Sequence, residues 1–292
     1  MLSILIVNWN TRDLLGACLA SIRRFPPSDP YEVIVVDNAS SDGSAALVAE
    51  QYPTVRLLEP GTNLGYAAGN NLAFAHAEGE FLLTLNPDTE FVDESLQRAV
   101  AFMEGHPDIG VLGARLVDPG PEGRTQPSVR GFPSLVGIFG DATGLGRLFP
   151  RAALGSYRLR AFDYERGGPA PQPMGTFLLF RRSAIEAAGV SPKAPFDESF
   201  PIFFNEVDLL RQMADAGFPA WYEPSVGIVH HGGASTRQIR PSMIWESHRS
   251  LLRYLRKHSS GAGRAVVLPI VAALVWLAAL VRARGWSPGF RP

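Results

Sequence analysis

The sequence predicts an α/β protein with a mostly parallel sheet flanked by helices, followed by an apolar C-terminal helix. Between residues 2 and 110, four β-rich runs alternate with helical patterns near residues 11–24, 43–52 and 66–77; the runs are SILIV, VIVVD, VRLLEP and FLLTLNPD. This alternation is typical of βαβ units with right-handed crossovers, which build a parallel sheet. The chain of 292 residues is 46% hydrophobic and 19% charged, which is the composition of a folded globular protein.

The second part of the chain is less regular. Residues 115–172 are rich in Gly, Pro and Arg around one short apolar stretch with a helical pattern, which predicts long loops over the sheet rather than a separate core. A strand is predicted at MGTFLLFRR, residues 174–182, and a helix from Ser183. Two polar segments follow: FFNEVDLLRQ, residues 203–212, and GIVHHGGAST, residues 227–236.

Charge and cysteine content exclude some classes of function. The formal net charge is −1 and no run of Lys or Arg could follow a phosphate backbone, so we expect no nucleic-acid partner. The single cysteine, Cys18, cannot form an internal disulfide and falls in a helical apolar pattern. The first run, SILIVNWN, becomes polar too early for a secretion signal, and we therefore expect a cytoplasmic protein.

An apolar run of 17 residues, 265–281, lies near the C-terminus, with Arg264 before it and Arg282 and Arg284 after it. This length is at the lower limit for a bilayer span, for which about 20 residues are usual. Apolar character all round and basic flanks favour membrane contact, but basic residues on both sides do not define an orientation. For a cytoplasmic protein, the contact is expected at the inner face of the cell membrane. The alternative is a helix packed on the domain or in a homo-oligomer.

Polar residues follow three of the predicted parallel strands. Asn8 and Asn10 follow the first strand, Asp37 ends the second, and Asn86 and Asp88 follow the fourth. Open parallel sheets bind ligands outside the carboxyl ends of their strands. A carboxylate there suits hydrogen bonds to a base N–H or a ribose hydroxyl, so we expect Asp37 to contact a ligand.

The segment NLGYAAGNN, residues 63–71, brings Asn63, Gly65 and Asn71 to the start of a predicted helix. Glycines let the backbone approach a ligand closely, and a helix N-terminus favours phosphate. The spacing is neither the dinucleotide fingerprint nor a P-loop. An ordinary glycine-containing helix start accounts for the pattern equally well.

Two separate positions have side chains that bind divalent cations. Asp88 ends a buried strand in LNPDTE, and His230 and His231 follow another predicted strand. Mg²⁺ and Mn²⁺ take carboxylate and phosphate oxygens, and neutral imidazole is a common metal ligand. Adjacent histidines project in different directions, so we expect at most one of them to bind. Structural turns are the alternative at both positions.

The segment FFNEVDLLRQ has three interpretations: a catalytic carboxylate, a metal site or a helix start. Asn205 is a good N-cap residue, and Glu206 and Asp208 are acids of the kind that favour a first helical turn. Residues i and i+2 do not share a helix face, so Asp208 is expected to be a solvated acid or to pair with Arg211.

The chain resembles the family 2 (GT-A fold) glycosyltransferases, and more closely their rhamnosyltransferase-like members. The resemblance covers about residues 1–240 and rests on seven segments in order: VNWN, VVDNASSDGS, NLGYAAGNN, LNPDTE, MGTFLLFRR, FFNEVDL and VHHGGAST. It implies inverting transfer of a sugar from a UDP- or dTDP-sugar to the hydroxyl of a saccharide or lipid-linked acceptor, with Mg²⁺ or Mn²⁺. Synthesis of cell-envelope polysaccharide or glycolipid is the expected process.

The resemblance also implies roles for individual residues. Asp37 matches the aspartate that contacts the nucleobase, and Asp88 matches the last acid of an Asp-x-Asp metal motif whose first acid is replaced here by Asn86. His230, or alternatively His231, matches a position that completes metal or diphosphate binding. The full predicted nucleotide-binding set is Asn8, Asn10, Asp37, Asn63, Gly65, Asn71 and Asn86.

Glu206 stands where the family has its catalytic aspartate, with Asp208 as the alternative base. One carboxylate near the acceptor hydroxyl is enough for single-displacement inversion, in contrast to the paired acids of glycosidases. The sugar and acceptor side is expected to include Arg130, Gly175 and Thr176, for each of which packing is the alternative role.

The resemblance divides the chain into a GT-A domain, 1–245, and a C-terminal helical, membrane-associated segment, 246–292. Within the domain, 1–110 is the expected nucleotide-binding half and 111–245 the acceptor-binding half. Two other functions fit parts of the pattern: a sugar nucleotidyltransferase, and a non-catalytic nucleotide-sugar-binding protein with altered NPD and NEVD segments.

Overall fold

The computed structural model describes residues 1–232, 240–261 and 263–287. Strands are Leu2–Asn8 (β1), Tyr31–Asp37 (β2), Arg56–Leu58 (β3), Phe81–Leu85 (β4), Thr89–Glu90 (β5), Val111–Val117 (β6), Val129–Arg130 (β7), Gly168–Pro169 (β8), Gln172–Pro173 (β9), Phe177–Arg181 (β10) and Ala220–His230 (β11). Helices are Arg12–Arg24 (α1), Ser44–Gln51 (α2), Gly65–His76 (α3), Ser95–Gly105 (α4), Leu135–Thr143 (α5), Leu145–Leu148 (α6), Arg182–Ala187 (α7), Asn205–Asp215 (α8), Arg240–His258 (α9) and Leu268–Ala283 (α10).

In the described part of the chain, the main sheet has nine strands and follows the order β3-β2-β1-β4-β10-β6-β11-β5, with β8 beside β11. The pairs among β3, β2, β1 and β4 are parallel, and so is β6 with β11. Strand β10 runs antiparallel between β4 and β6. The predicted mostly parallel sheet is confirmed, and the chain order reverses on the two sides of β1, where open α/β sheets bind ligands.

Helices cover both faces of the sheet, as predicted. In β1, Leu2, Ile4 and Ile6 pack under α1, α2 and α4, whereas Leu5 and Val7 pack under α3, α7 and α8. Successive strand residues point to opposite faces, so a strand covered on both faces must be apolar throughout. This explains why most residues of β1, β2 and β4 are apolar, with Ser3 and Thr84 as buried polar exceptions in β1 and β4. Cys18 is buried in the first of these cores.

The middle of the chain contains more structure than the predicted loops. The short helices α5 and α6 and a single 3-10 turn at Ala153–Gly155 lie between β7 and β8. Strands β7 and β9 form a separate two-stranded sheet. Ser134 caps α5, because its side chain accepts the Gly137 amide, a local signal that glycine and proline content obscured.

Helix α8 begins differently from the prediction. Phe204 occupies the N-cap position in the left-handed region, with φ 71°. Asn205 is the first helical residue and its Nδ2 donates back to the Phe200 carbonyl at 3.1 Å, so the predicted cap at Asn205 is wrong. A left-handed conformation costs a bulky residue about 1–2 kcal/mol, which surrounding packing must offset.

The C-terminal helices pack on the rest of the protein. Helix α9 runs through the predicted boundary at 245/246. One stripe of α10 packs against α9 and α5; its buried members are Leu268, Val271, Val275 and Ala279. The opposite face is exposed and apolar, with Ile270 54%, Leu277 58% and Val281 68% exposed.

By length and composition, one helix among the described residues could cross a membrane. It is the stretch Arg264–Ala283, with a mean hydropathy of 2.4. One apolar face of this helix is buried against the protein, and the opposite apolar face is exposed to solvent.

Candidate active site

Asn8 and Asp37 lie side by side where β1 and β2 end. They are register partners, and the Asn8 Nδ2 donates to the Asp37 Oδ1 at 2.8 Å. The other Asp37 oxygen accepts the Ser40 amide at 2.9 Å, and the Thr11 hydroxyl donates to the Asn8 Oδ1 at 2.6 Å. Because Asn8 and Asp37 are buried, this network holds the carboxylate in place at the strand edge.

Asn10 belongs to the same group. Its amide donates to the Ser40 Oγ at 2.9 Å, and its Oδ1 accepts the Ser41 amide at 2.8 Å. The structure therefore brings three of the predicted nucleotide-binding residues, Asn8, Asn10 and Asp37, into one connected network.

The start of α3 is occupied by the chain itself. Gly65 has φ 82°, a conformation that favours glycine, and its amide donates to the Asn63 Oδ1 at 2.9 Å. The Tyr66 and Ala67 amides both donate to the Pro201 carbonyl, at 2.7 and 3.1 Å. These three amides therefore have partners within the chain, which favours the ordinary helix start over a phosphate site at these groups.

The described hydrogen bonds of the Asn71 side chain go to the loop at residues 196–198 and not to the strand edge. Its Nδ2 donates to the Phe196 carbonyl and to Glu198, each at 2.9 Å. Its Oδ1 accepts the Phe196 amide at 3.0 Å. These three bonds tie α3 to the segment before α8 and use most of the bonding capacity of the amide.

Asp88 and His230 approach each other across the pair β5–β11. His230 is the register partner of Thr89, and the His230 Nε2 lies 3.7 Å from the Asp88 Oδ1. Both residues are buried, and this Asp88 oxygen has no hydrogen-bond partner. The Thr176 hydroxyl lies 3.5 Å from the same Nε2.

Gln126 sets the proton position on His230. The Gln126 Nε2 donates to the Asp118 carboxylate and to the His230 carbonyl, each at 2.9 Å, which fixes the orientation of the amide. The Gln126 Oε1 therefore accepts from the His230 Nδ1 at 2.8 Å, so Nδ1 carries the proton. Burial lowers the pKa of His230 although Asp88 opposes the shift. The neutral ring presents the Nε2 lone pair to Asp88.

His231 turns to a different partner. Its Nε2 lies 2.6 Å from the Glu90 Oε1, while its amide donates to the Asp88 carbonyl at 2.9 Å. Glu90 and the ring of His231 are both about one-third exposed. The two histidines project apart, as expected, and only His230 faces Asp88. Residues 233–236 of this segment lie outside the described residues.

The Asp88 and His230 pair fits a divalent cation chemically. A buried carboxylate oxygen without a partner and an unprotonated imidazole nitrogen are ligand atoms of the right type. Within the described ranges, no group of three or more His, Cys, Asp or Glu side chains is arranged for a metal. A cation held by this pair would need further ligands, such as the phosphates of a bound nucleotide.

Glu206 is a carboxylate in an environment that disfavours its charge. Burial raises its pKa to about 7, although backbone amides and Arg130 act in the opposite direction. Its Oε2 is shielded from solvent and has no hydrogen-bond partner. A Cβ at position 175 would lie 3.2 Å from the Glu206 Cγ, so any larger residue there would press on the Glu206 side chain. The structure thus brings Arg130, Gly175 and Glu206 together.

Tyr66 joins Glu206 to the strand edge and was missed from the sequence. Its hydroxyl lies 3.3 Å from both the Asn86 Oδ1 and the Gly175 carbonyl. Burial and then the Glu206 charge raise the pKa of Tyr66, so its hydroxyl stays protonated at neutral pH. A tyrosine after a helix-starting glycine is an ordinary core pattern, and nothing local marked it as part of a site.

Asp208 has a different role from the predicted one. It is completely buried, and its carboxylate contacts the Lys257 Nζ at 2.8 Å and the His258 Nε2 at 2.7 Å. Arg211, its predicted partner, pairs with Asp215 instead at 2.8 Å. The expectation of a solvated or Arg211-paired acid is wrong, because α9 covers this side of α8 and supplies both partners.

Helix α9 holds the first turn of α8 at two points. Asp208, Lys257 and His258 form the first contact, which we call the α8–α9 clamp. Hydrogen bonds to Asp197 and Asp208 raise the pKa of Lys257, although burial alone would lower that pKa. The second contact is the Phe204 ring, whose centroid lies 5.8 Å from that of Tyr254. Glu206 lies between these two points in the sequence.

Fold and site together define a class of protein. The sheet is that of nucleotide-binding α/β enzymes, with polar and acidic side chains along its strand edge and one carboxylate of raised pKa beside them. These are the parts of an enzyme that acts on a nucleotide-linked substrate.

Comparison with known proteins names the family. The family model for glycosyl transferase family 2 matches residues 3–189. The N-acetylglucosaminyl-diphospho-decaprenol L-rhamnosyltransferase of Mycobacterium tuberculosis is 31% identical over 280 residues, covering 91% of this chain and 87% of that protein. The chain therefore belongs to glycosyl transferase family 2, an inverting family that uses nucleotide-sugar donors. The predicted family is confirmed, and the nucleotidyltransferase alternative is set aside.

Solved structures show the same fold. The mannosyltransferase PcManGT of Pyrobaculum calidifontis, solved with GDP-Man and Mn²⁺, has a TM-score of 0.58 at 20% identity, covering 98% of this chain and 76% of that one. S. aureus TarS 1-349 in complex with UDP-GlcNAc has a TM-score of 0.52 at 17% identity, covering 97% and 73%. The predicted GT-A fold is confirmed.

The α8–α9 clamp predicts a large loss of stability in Asp208→Asn. Removing one partner of a buried ion pair leaves the charge of Lys257 uncompensated, so we expect the free energy of unfolding to fall by about 3 kcal/mol. Asp215→Asn on the same helix removes an exposed pair with Arg211 and should cost no more than about 0.5 kcal/mol. Urea denaturation of both variants measures the difference; equal small losses would contradict a buried clamp.

The environment of Glu206 predicts a pH-dependent gain in stability in Glu206→Gln. The raised pKa means that the folded protein keeps this proton from pH 4.5 up to about 7 while the unfolded chain releases it, so parent stability falls across that window. We expect the variant to exceed the parent by about 2 kcal/mol at pH 8. Near pH 4.5 the difference should vanish. Denaturant titrations at both pH values test this, and a pH-independent difference would refute it.

Proposed function

We propose that this protein transfers a sugar from a UDP- or dTDP-sugar to a hydroxyl of a saccharide carried on a lipid diphosphate, in cell-envelope synthesis. The Mycobacterium tuberculosis relative is named for rhamnosyl transfer to such a lipid. The observation that carries the proposal is Glu206, a shielded carboxylate beside Gly175 whose pKa burial raises to about 7.

In this mechanism Glu206 is the general base. Its carboxylate takes the proton of the acceptor hydroxyl while that oxygen forms a bond to the anomeric carbon, and the bond from this carbon to the diphosphate breaks on the opposite face. One displacement inverts the anomeric centre. A base with a pKa near ambient pH combines a useful ionised fraction with proton affinity. Asp208, the alternative base, has both oxygens engaged in the clamp.

The nucleotide is held at the strand edge in this proposal. Asp37 contacts the base or ribose, with Asn8 and Asn10 supporting its geometry through the hydrogen-bond network. Asn63, Gly65, Asn71 and Asn86 remain proposed members of the pocket wall. Asn71 is the weakest of them, because its amide already holds residues 196–198.

Asp88 and His230 would hold Mg²⁺ or Mn²⁺, with His231 as the less favoured histidine. When bound, the cation neutralises charge on the departing diphosphate. Gln126 contributes by keeping the His230 proton on Nδ1. With Asn86 in place of an acid, this pair supplies few protein ligands, so we expect cation binding to depend on the donor.

The acceptor approaches from the side of Arg130, Gly175 and Thr176. Arg130 lowers the pKa of Glu206, against the effect of burial. Gly175 leaves room for the Glu206 side chain. We place the enzyme in the cytoplasm at the inner face of the membrane, with the exposed face of α10 toward lipid.

Substitution of the base tests the catalytic assignment. In Glu206→Gln, transfer should fall by about 10³-fold while nucleotide binding survives, since only the proton acceptor is lost. In the parent, kcat/KM should fall about tenfold for each pH unit below about 7, because the base becomes protonated. Transfer assays from pH 5.5 to 8.5 measure both effects. High activity in Glu206→Gln, with loss in a folded Asp208→Asn sample, would reverse the assignment.

The paired histidines offer a matched test of the metal site. Calorimetry should detect a Mn²⁺-dependent gain in donor affinity that falls by about tenfold or more in His230→Ala and in Asp88→Ala. His231→Ala should change it by no more than about twofold. Equal effects of the two histidine variants, or a parent indifferent to Mn²⁺, would disprove the proposed site.

A thermal-shift screen of UDP-, dTDP- and GDP-sugars, with and without Mn²⁺, identifies the donor. The non-catalytic alternative is separated in the same samples. Binding without hydrolysis of the donor and without transfer across a broad acceptor panel would favour it over the enzyme.

A further inference from the structure

A groove of about 550 Å³ lies between the end of α9 and the start of α10. Arg256 and Arg264 border it, and its apolar wall includes Leu268, Pro269 and Ala272. Within residues 240–261 and 263–287 and the rest of the described chain, neither guanidinium forms an ion pair. Two cations without acidic partners beside an apolar wall suit an anionic group attached to a hydrocarbon chain.

The groove borders the exposed face of α10. Pro269 and Ala272 line the groove, and the residues that follow them, Ile270 and Ala273, are exposed. The apolar face continues along the helix through Leu277, Leu280 and Val281. A hydrocarbon chain that extends out of the groove would therefore contact the exposed apolar face of α10.

The groove is also connected to the catalytic helix. Arg256 precedes Lys257, whose Nζ contacts the Asp208 carboxylate at 2.8 Å. Asp208 lies two residues after Glu206 in the first turn of α8. The α8–α9 clamp thus couples one wall of the groove to the segment that carries the base.

We propose that this groove binds the diphosphate of a lipid-linked acceptor, with the two arginines on the phosphates and the lipid chain along the exposed face of α10. The inference rests on the proposed function, since it assigns a subsite to that acceptor. In this proposal the acceptor diphosphate binds in the groove, whereas the donor diphosphate binds near Asp88 and His230. Anionic phospholipid headgroups are the competing occupant.

A binding experiment tests the groove without catalysis. The probe is farnesyl diphosphate, titrated by calorimetry without divalent cations into the parent, Arg256→Gln/Arg264→Gln and Arg282→Gln/Arg284→Gln. Both double variants lose two positive charges from the same helical region. We expect the groove variant to bind about tenfold more weakly or worse, and the control to stay within about twofold of the parent. Equal weakening, or competition by excess nucleoside diphosphate, would overturn the assignment.

Two further measurements separate the sources of phosphate and the two proposals. The groove variant should raise KM for a lipid-diphosphate acceptor, with KM for a phosphate-free alkyl glycoside unchanged. Binding to phosphatidylcholine vesicles that contain some phosphatidylglycerol should weaken equally in both double variants. Selective loss of vesicle binding in the groove variant would assign the site to phospholipid.

The groove and the proposed function can fail separately. A parent protein that binds farnesyl diphosphate but transfers no sugar would refute the proposed function alone. An active enzyme that does not bind farnesyl diphosphate would refute the groove alone.

Discussion

The geometry around Glu206 depends on one buried ion cluster, in which α9 supplies Lys257 and His258 to the carboxylate of Asp208. Burying a carboxylate is costly unless it is paired, so Asp208 can stay buried only while α9 supplies its partners. The same helix supports Phe204, whose left-handed backbone would be unfavourable alone. Helix α8, which carries Glu206, is therefore held in place by helix α9, although Asp208 and Lys257 are 49 residues apart in the sequence.

The side chains along the rest of the strand edge are held in place by other residues of the chain. Asp37 is fixed by Asn8 and Ser40, and His230 is fixed by Gln126. Groups held by their neighbours in this way lose little freedom on binding, which favours affinity and orientation. Glu206 is the contrast, because its shielded Oε2 has no partner. Burial destabilises the ionised form of Glu206 and so raises the proton affinity of its carboxylate.

The sequence predicted the fold well because β1, β2 and β4 are covered on both faces and so are apolar over most of their length. It predicted Asp37, Asp88, His230 and Glu206 as site residues through strand ends and family segments, and the structure brings His230 to within 3.7 Å of Asp88. It failed where partners come from distant segments: nothing near Asp208 indicates Lys257 or His258, and nothing near residue 126 indicates a histidine contact. It also failed at Asn205, where local capping preference was outweighed by the packing that holds Phe204 at the helix start.

The pairing of β5 with β11 has a consequence for assembly. Asp88 follows the fourth strand of the chain, whereas His230 ends the last one, and they approach only because His230 pairs with Thr89. Such long-range pairing closes late, since loop entropy must be overcome first. An emerging chain would therefore complete its nucleotide edge early and acquire the Asp88–His230 pair only when β11 docks. A ligand that contacts both Asp88 and His230 can bind only after β11 has joined the sheet. A fragment that lacks β11 would not bind that ligand.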